Sequence, residues 1–229
     1  MIAARSLAVS IFCTLLSIPL IHAQDLSRYR EFQFGTNLPT VAKQADVKPS
    51  EAKAVHQRPA VIQELQWRPQ HYLSASSQSD PVKDVLFSFY NDELFRMVVN
   101  YDPGKTLGLT NDDMVGAMSA AYGTPTRPTA RTITFSSAQG YSESEKILAR
   151  WEDAQYSFNL FRSSYQPNFG MVVFSKRLDA LARLAIVNSI RLDQQEAPQR
   201  EAEQQKKEAQ ENRATEEKAR LANKTNFRP

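Results

Sequence analysis

One stretch restricts the fold of this chain more than any other. Val85, Phe87 and Phe89 alternate with Leu86, Ser88 and Tyr90, and after Asn91-Asp92-Glu93 the residues Phe95, Met97, Val99 and Tyr101 alternate with Arg96, Val98 and Asn100. A period of two with apolar side chains on one side is the pattern of a half-buried strand, and Asn-Asp between two such runs is turn chemistry. The stretch predicts a β-hairpin with one face packed, and therefore an antiparallel sheet.

Further elements follow the same logic. Ile147, Ala149 and Trp151 form one arm of a second hairpin, Tyr156, Phe158 and Leu160 the other, with Glu152–Gln155 between them. Short strands are expected at Glu31–Phe34, Val61–Trp67, Ile133–Phe135 and Met171–Ser175. Thr36 or Asn37 caps a helix with Pro39 in its first turn, running to about Ala45, and Pro49-Ser50-Glu51 starts a second short one. Thr110 is a good N-cap, Asp112 and Asp113 suit the helix dipole, and Met114, Val115, Ala117, Met118 and Ala121 line a stripe. Tyr122-Gly123-Thr124-Pro125 closes that helix, with glycine at the left-handed position. A last helix is expected over 177–196, ending before Pro198. Residues 68–83, with Pro69, Pro81 and four serines, and residues 136–144 read as loops.

The expected fold class is α+β: an antiparallel sheet built of hairpins with helices on one face, plus a charged C-terminal helix. Gly35–Tyr101 and Thr110–Ser175 share the order helix, loop, paired strands. The domain 24–197 therefore admits two similar α-β-β units, with halves 24–103 and 104–197, although no residue-level repeat accompanies them.

Residues 1–23 read as a cleavable signal peptide. Arg5 supplies the positive n-region, Leu7–Ile21 an apolar run too short for a bilayer span, and Ile21-His22-Ala23 a small-residue cleavage site before Gln24. Phe12 before Cys13 argues against a lipoprotein signal. The expected product is an extracytoplasmic chain, periplasmic or secreted, without a stable membrane span. Cleavage removes Cys13, the only cysteine, so neither disulfides nor thiol chemistry are expected. The formal charge of +3 is a slight excess, which implies neither nucleic acid nor an anionic membrane. The tail 198–229 mixes Lys/Arg with Glu. Glu203–Lys207 and Glu216–Arg220 are helix-supporting pairs, and Leu221 is the only large apolar residue of 199–224, so an exposed charged helix or a disordered tail is expected rather than a coiled coil.

No pattern points to a catalytic residue, cofactor site or metal site. Asp102-Pro103-Gly104-Lys105-Thr106 copies the end of a phosphate-binding loop, but Val99 stands where that loop needs glycine. His56 and His71 lack partners at zinc-ligand spacing, and no Gly-x-Ser-x-Gly is present to serve His71. Asp92/Glu93 and Glu152/Asp153 are acidic pairs in expected turns, where Asp makes local hydrogen bonds. Asn223-Lys224-Thr225 matches a glycosylation sequon.

Aromatic residues in or beside loops are the better candidates. Trp67, Arg68, Tyr72, Tyr165 and Phe169 can form a partner surface. The helix 177–196 adds Ile186 and Ile190, because it carries apolar residues on more than one face: Leu178, Leu181, Ala185 and Leu192 on one, Ile186 and Ile190 on another, Leu184 and Val187 on a third.

The run Phe34-Gly35-Thr36-Asn37-Leu38-Pro39-Thr40-Val41-Ala42-Lys43-Gln44, with the later hairpin Val85–Tyr101, resembles the small α/β modules of the SmpA/BamE and β-lactamase-inhibitor-like class, and uncharacterised bacterial secreted proteins. That resemblance implies a lipid-anchored or secreted binding protein. The lipoprotein cysteine is missing here, so anchoring does not carry over, and no functional residue transfers.

The expected function is an exported non-catalytic module that binds a protein or envelope component. Two alternatives are an exported hydrolase with an unfamiliar site, which would bring His71, Asp80 or Asp84 to a serine, and a structural or assembly protein that uses its C-terminal helix.

Overall fold

The computed structural model describes residues 25–69, 80–126, 132–136, 142–163, 168–226 and 228. A two-strand ribbon, β1 (Arg28–Tyr29) and β2 (Phe32–Gln33), leads into α1 (Leu38–Gln44) and a 3-10 turn (Pro49–Glu51). Four strands follow: β3 (Lys53–His56), β4 (Ile62–Trp67), β5 (Val82–Tyr90) and β6 (Glu93–Tyr101). Then come α2 (Pro103–Thr106), α3 (Asn111–Tyr122), and the strands β7 (Thr132–Ser136), β8 (Ser142–Glu152), β9 (Tyr156–Arg162) and β10 (Phe169–Ser175), and finally α4 (Lys176–Asn226).

The local chemistry expected at the helix starts is in place. The Asn37 carboxamide accepts from the Thr40 N–H at 3.0 Å, and the Thr110 hydroxyl and Asp113 carboxylate form a capping box around the start of α3. Asn91 and Asp92 both take positive φ, which a two-residue hairpin turn requires. Asp92 does more than turn the chain: its carboxylate accepts from the Leu38 N–H at 3.0 Å and so ties the turn to the first residue of α1.

The large sheet has the order β3-β4-β5-β6-β10-β9-β8-β7, with every neighbouring pair antiparallel. Each half is thus one helix followed by a four-strand meander, rather than a helix and one hairpin, and the two last strands, β6 and β10, join the halves at the centre. The two tryptophans mark the correspondence. Trp67 ends the second strand of the first meander and Trp151 nearly ends the second strand of the second; Trp151 belongs to the main core cluster and Trp67, partly buried, packs against it.

α1 and α3 share one face of the sheet, as expected. Leu38, Val41 and Ala42 of α1 and Met114 of α3 join Leu65, Phe87, Phe89, Met97, Val99, Phe158, Leu160 and Met171 in that core. The opposite face departs from the expectation of a hairpin packed on one side only, since Leu86, Val98 and Phe95 are buried there too. A bulge at Phe95 contributes: Ser88 faces Arg96 while Phe89 faces Leu94, so Phe95 has no partner and leaves the parity of the strand.

Two elements cover this second face. Leu178 and Ala182 of α4 pack with Ile62 and Phe95. At the other end Ile133 of β7 clusters with Leu86 of β5 and Val98 of β6, although three strands lie between β6 and β7 in the sheet order. Strands are spaced about 4.8 Å apart, so a flat sheet would hold Ile133 roughly four spacings from Val98. The register shift between Ile147 and Ala149 lets β8 bend and carry β7 back over the sheet. The Arg183 guanidinium of α4 then donates to the Thr134 carbonyl of the returned strand at 3.3 Å.

α4 does not end at residue 196. It runs through Pro198 as one helix. A proline inside a helix removes one ladder N–H and crowds the preceding turn. The site is solvent-facing, so the freed carbonyl can be hydrated, and the Arg200 guanidinium braces the preceding turn by donating to the Asp193 carbonyl at 3.0 Å. Every residue from Gln199 to Lys224 is exposed. Deleting 199–229 is therefore expected to move the melting temperature by no more than about 2 °C, the scale of one surface pair. A larger loss by calorimetry would show that this arm packs against the domain.

A polar row crosses the second face beneath α4. Glu64 of β4 faces Ser88 of β5, which faces Arg96 of β6. Burial pushes the Glu64 carboxyl above its ordinary 4.5, with Arg96 opposing that rise. The folded state therefore holds this proton to a higher pH than the unfolded chain, so stability rises as the pH falls through the folded value, and the desolvation cost is fully present at neutral pH. Glu64→Gln should raise the melting temperature at pH 7, with the advantage fading as the pH drops to the ordinary 4.5. A lower melting temperature for the variant at pH 7 would contradict this.

Candidate functional site

The first five turns of α4 are held to the sheet by their inner side. Leu178, Ala182 and, partly buried, Ile186 lie against Ile62, Phe95 and Tyr90. Asp179 is buried beside Arg96 of β6: the guanidinium donates to Asp179 Oδ1 through Nε at 2.9 Å and also through Nη2. Arg183, one turn on, donates to Asp179 Oδ2 at 2.6 Å, so both carboxylate oxygens are satisfied. Further along, the buried Ser189 hydroxyl pairs with His56 Nδ1 of β3 at 3.1 Å. Arg58 then reaches Asp193 and Glu196, at 3.0 and 2.7 Å.

The outer side of the same turns is apolar and bare. Leu184 is 59% and Val187 62% exposed, flanked by Leu181 and Ile190. Residues three apart are neighbours on a helix surface, so Leu184 and Val187 form one patch turned away from Ala182 and Ser189. A helix docked on a sheet needs a single apolar stripe; the second is surplus to folding.

The residues singled out from sequence are distributed over three places. Trp67 is half-buried against Phe32 and Phe87, with ring centroids 5.2 and 6.2 Å away. With Arg68 it lines a cleft of about 300 Å³ beside the end of α1. Phe169 is not in a loop: it opens β10, is 1% exposed, and carries the Arg162 guanidinium 5.1 Å from its ring centroid. Ile186 and Ile190, expected to share a face, separate, the first packing inward and the second standing exposed. Tyr72 and Tyr165 lie outside the described residues.

The acidic groups considered for chemistry are engaged. Asp153 accepts from the Gln155 and Tyr156 N–H groups at 2.7 and 2.6 Å, Glu152 pairs with Lys176 at 2.9 Å, and Asp80 takes a two-pronged bond from Arg30 at 2.7 Å. Asp84 accepts from Asn100 at 2.7 Å, and His71 lies outside the described residues. Among the described residues no group of three or more His, Cys, Asp or Glu side chains converges as a metal would need, and no helix is long and apolar enough to cross a membrane.

The architecture defines a protein of the α+β class, with an eight-stranded antiparallel sheet and a long C-terminal helix. No family model and no curated protein matches the chain. A cysteine-rich secretory protein of Staphylococcus aureus is similar in structure at 7% identity and a TM-score of 0.30, the match covering 62% of this chain and 43% of that one.

Proposed function

We propose that this chain is an exported, non-catalytic binding module whose partner, a protein or envelope component, docks on the outer side of the first turns of α4. The observation that carries this reading is the pairing of opposite sides on one element. The inner side is locked to the sheet by a buried ion pair and apolar packing, and the outer side presents Leu184 and Val187 to solvent. Exposed apolar surface on a rigid element costs little ordering on binding and gains its full desolvation. The apolar leader supports export, and the helix-then-strands halves suit the small α/β binding modules that the sequence resembles.

A photo-crosslinking side chain at position 187, in the native host, tests the reading. A discrete adduct that is lost on Leu184→Glu is expected, while the same probe at the buried position 185 gives none. Equal adducts from both positions, or none from 187, would overturn it. Adducts with a second copy of the chain would favour the assembly role instead. The mass of the exported chain, expected to start at Gln24, tests the leader separately.

A further inference from the structure

A second feature lies away from the outer side of α4. The β5–β6 turn, the β8–β9 turn and the start of α4 enclose a cleft of about 270 Å³ between the two halves, lined by Phe34, Glu93, Gln155, Tyr156, Ser175 and Arg177. Ser175 ends β10 and immediately precedes α4, which is the N-cap place, where a serine hydroxyl ordinarily accepts from the N–H groups of the first turn. Here it does not. Ser175 is 8% exposed, lines the cleft, and its hydroxyl has no hydrogen-bond partner among the described residues. A buried hydroxyl left unpaired is unfavourable unless something from outside completes it.

The surroundings define what would complete it. The start of a 51-residue helix carries N–H groups outside its own ladder and the positive end of the helix dipole. The Lys176 N–H is taken by the Gln155 carbonyl at 2.8 Å, and its ammonium by Glu152 at 2.9 Å and the Asp153 carbonyl at 2.6 Å. Arg177 is the exposed cation of the cleft: it is largely solvent-accessible, with Nη2 3.9 Å from Glu93. These groups favour an anion. Glu93 on the facing wall limits its charge, because a second negative charge on the ligand would sit close to a carboxylate. Apolar surface borders the same space: Phe34 and Tyr156 stack with centroids 5.3 Å apart, and Leu178 lines the cleft as well.

We infer that this cleft binds a singly charged carboxylate attached to a small apolar or aromatic body, with Ser175 Oγ and the first-turn N–H groups of α4 holding the carboxylate and Arg177 closing over it. The carboxylate can belong to a free acid or to the C-terminus of a peptide; the chemistry at Ser175 is the same.

The test titrates the purified protein with N-acetylphenylalanine, with its primary amide, with an acetylated tripeptide ending in a free phenylalanine carboxylate, and with inorganic phosphate, following backbone amide shifts by NMR. The acid should shift Ser175, Arg177 and Leu178, and the amide should bind at least tenfold more weakly. Binding by the tripeptide as well assigns the site to chain ends, and binding by the free acid alone assigns it to small molecules; both support the carboxylate site. Ser175→Ala should weaken the acid about tenfold, as expected for loss of a bond to a charged group. It should leave the melting temperature unchanged, since the hydroxyl has no described partner to lose. Glu93→Gln should tighten it. Equal binding of acid and amide, tighter binding of phosphate than of the acid, or shifts confined elsewhere would overturn the inference. None of these outcomes bears on the outer side of α4.

Discussion

Asp179→Ala is expected to destabilise the protein by about 3–5 kcal/mol, because it strands a buried guanidinium. Arg96 is 6% exposed and, among the described residues, Asp179 alone answers its charge at direct hydrogen-bond distance. Removing the carboxylate also releases Arg183 and loosens the first turn of α4. For a domain of this size each kcal/mol shifts the melting temperature by roughly 2–4 °C, so a drop of about 10 °C is expected by calorimetry. Desolvation distinguishes this from a simple lost contact. Arg96→Leu alone should cost a similar amount, whereas Arg96→Leu with Asp179→Leu should recover much of it, since a packed apolar pair avoids the penalty that the ions must overcome. A loss below about 2 °C for Asp179→Ala would mean that α4 is held by its apolar contacts and not by the ion pair.

That pair matters for the proposed function through geometry. Asp179 fixes the rotation of α4 about its own axis, because only one rotation aims its carboxylate at Arg96 of β6. The same rotation turns Leu184 and Val187 outward. Ser189 on His56, about three turns later, and Arg58 on Asp193 and Glu196, about four and five turns later, repeat the constraint at the edge strand β3 and just after it. The helix therefore leaves the sheet in a defined direction, is exposed from Gln199 to Lys224, and stays helical to Asn226.

What could be read from the residues was local, and what could not was long-range. Period-two alternation around Asn91-Asp92 marked the central hairpin, and Thr110 with Asp113 marked the start of α3, because each signal lies within a few residues of its effect. Alternation alone puts Phe95 on the wrong side of its strand, since a bulge is set by what the neighbouring strand and α4 offer, not by the run Glu93–Tyr101. Interior proline is unfavourable, so Pro198 reads as a helix end; an exposed helix tolerates it when water and Arg200 serve the disturbed turn. The Arg96–Asp179 pair spans 83 positions, and nothing in either neighbourhood announces it. Ser175 looked like the end of a strand. Its place between that strand and the helix from 177 is legible in the sequence; the unmade cap bond appears only in three dimensions.

Gly170→Ala is expected to cost about 2–3 kcal/mol, or roughly 4–12 °C, although the same change at an unstrained, open position would usually stabilise by 0.4–1 kcal/mol through the unfolded chain. Space decides the sign. Gly170 faces Phe161 across the β9–β10 pair, and the ring lies over the glycine. A Cβ built there would overlap Phe161 Cζ, sit 2.8 Å from Cε1, and lie 2.9 Å from the Val99 carbonyl oxygen. The ring is buried in one cluster with Ile133, Ile147 and Val172, which resist its displacement; the carbonyl belongs to the central strand β6 and cannot yield without disturbing the joint between the halves. A double-mutant cycle separates the two obstacles. Phe161→Ala alone should cost about 3–5 kcal/mol. If the ring is the main obstacle, Gly170→Ala should add less than about 1 kcal/mol in that background, a strongly non-additive result. Simple additivity would place the clash at the Val99 carbonyl instead, and a stabilising Gly170→Ala in the intact protein would mean that the β6–β10 joint has room that this packing denies.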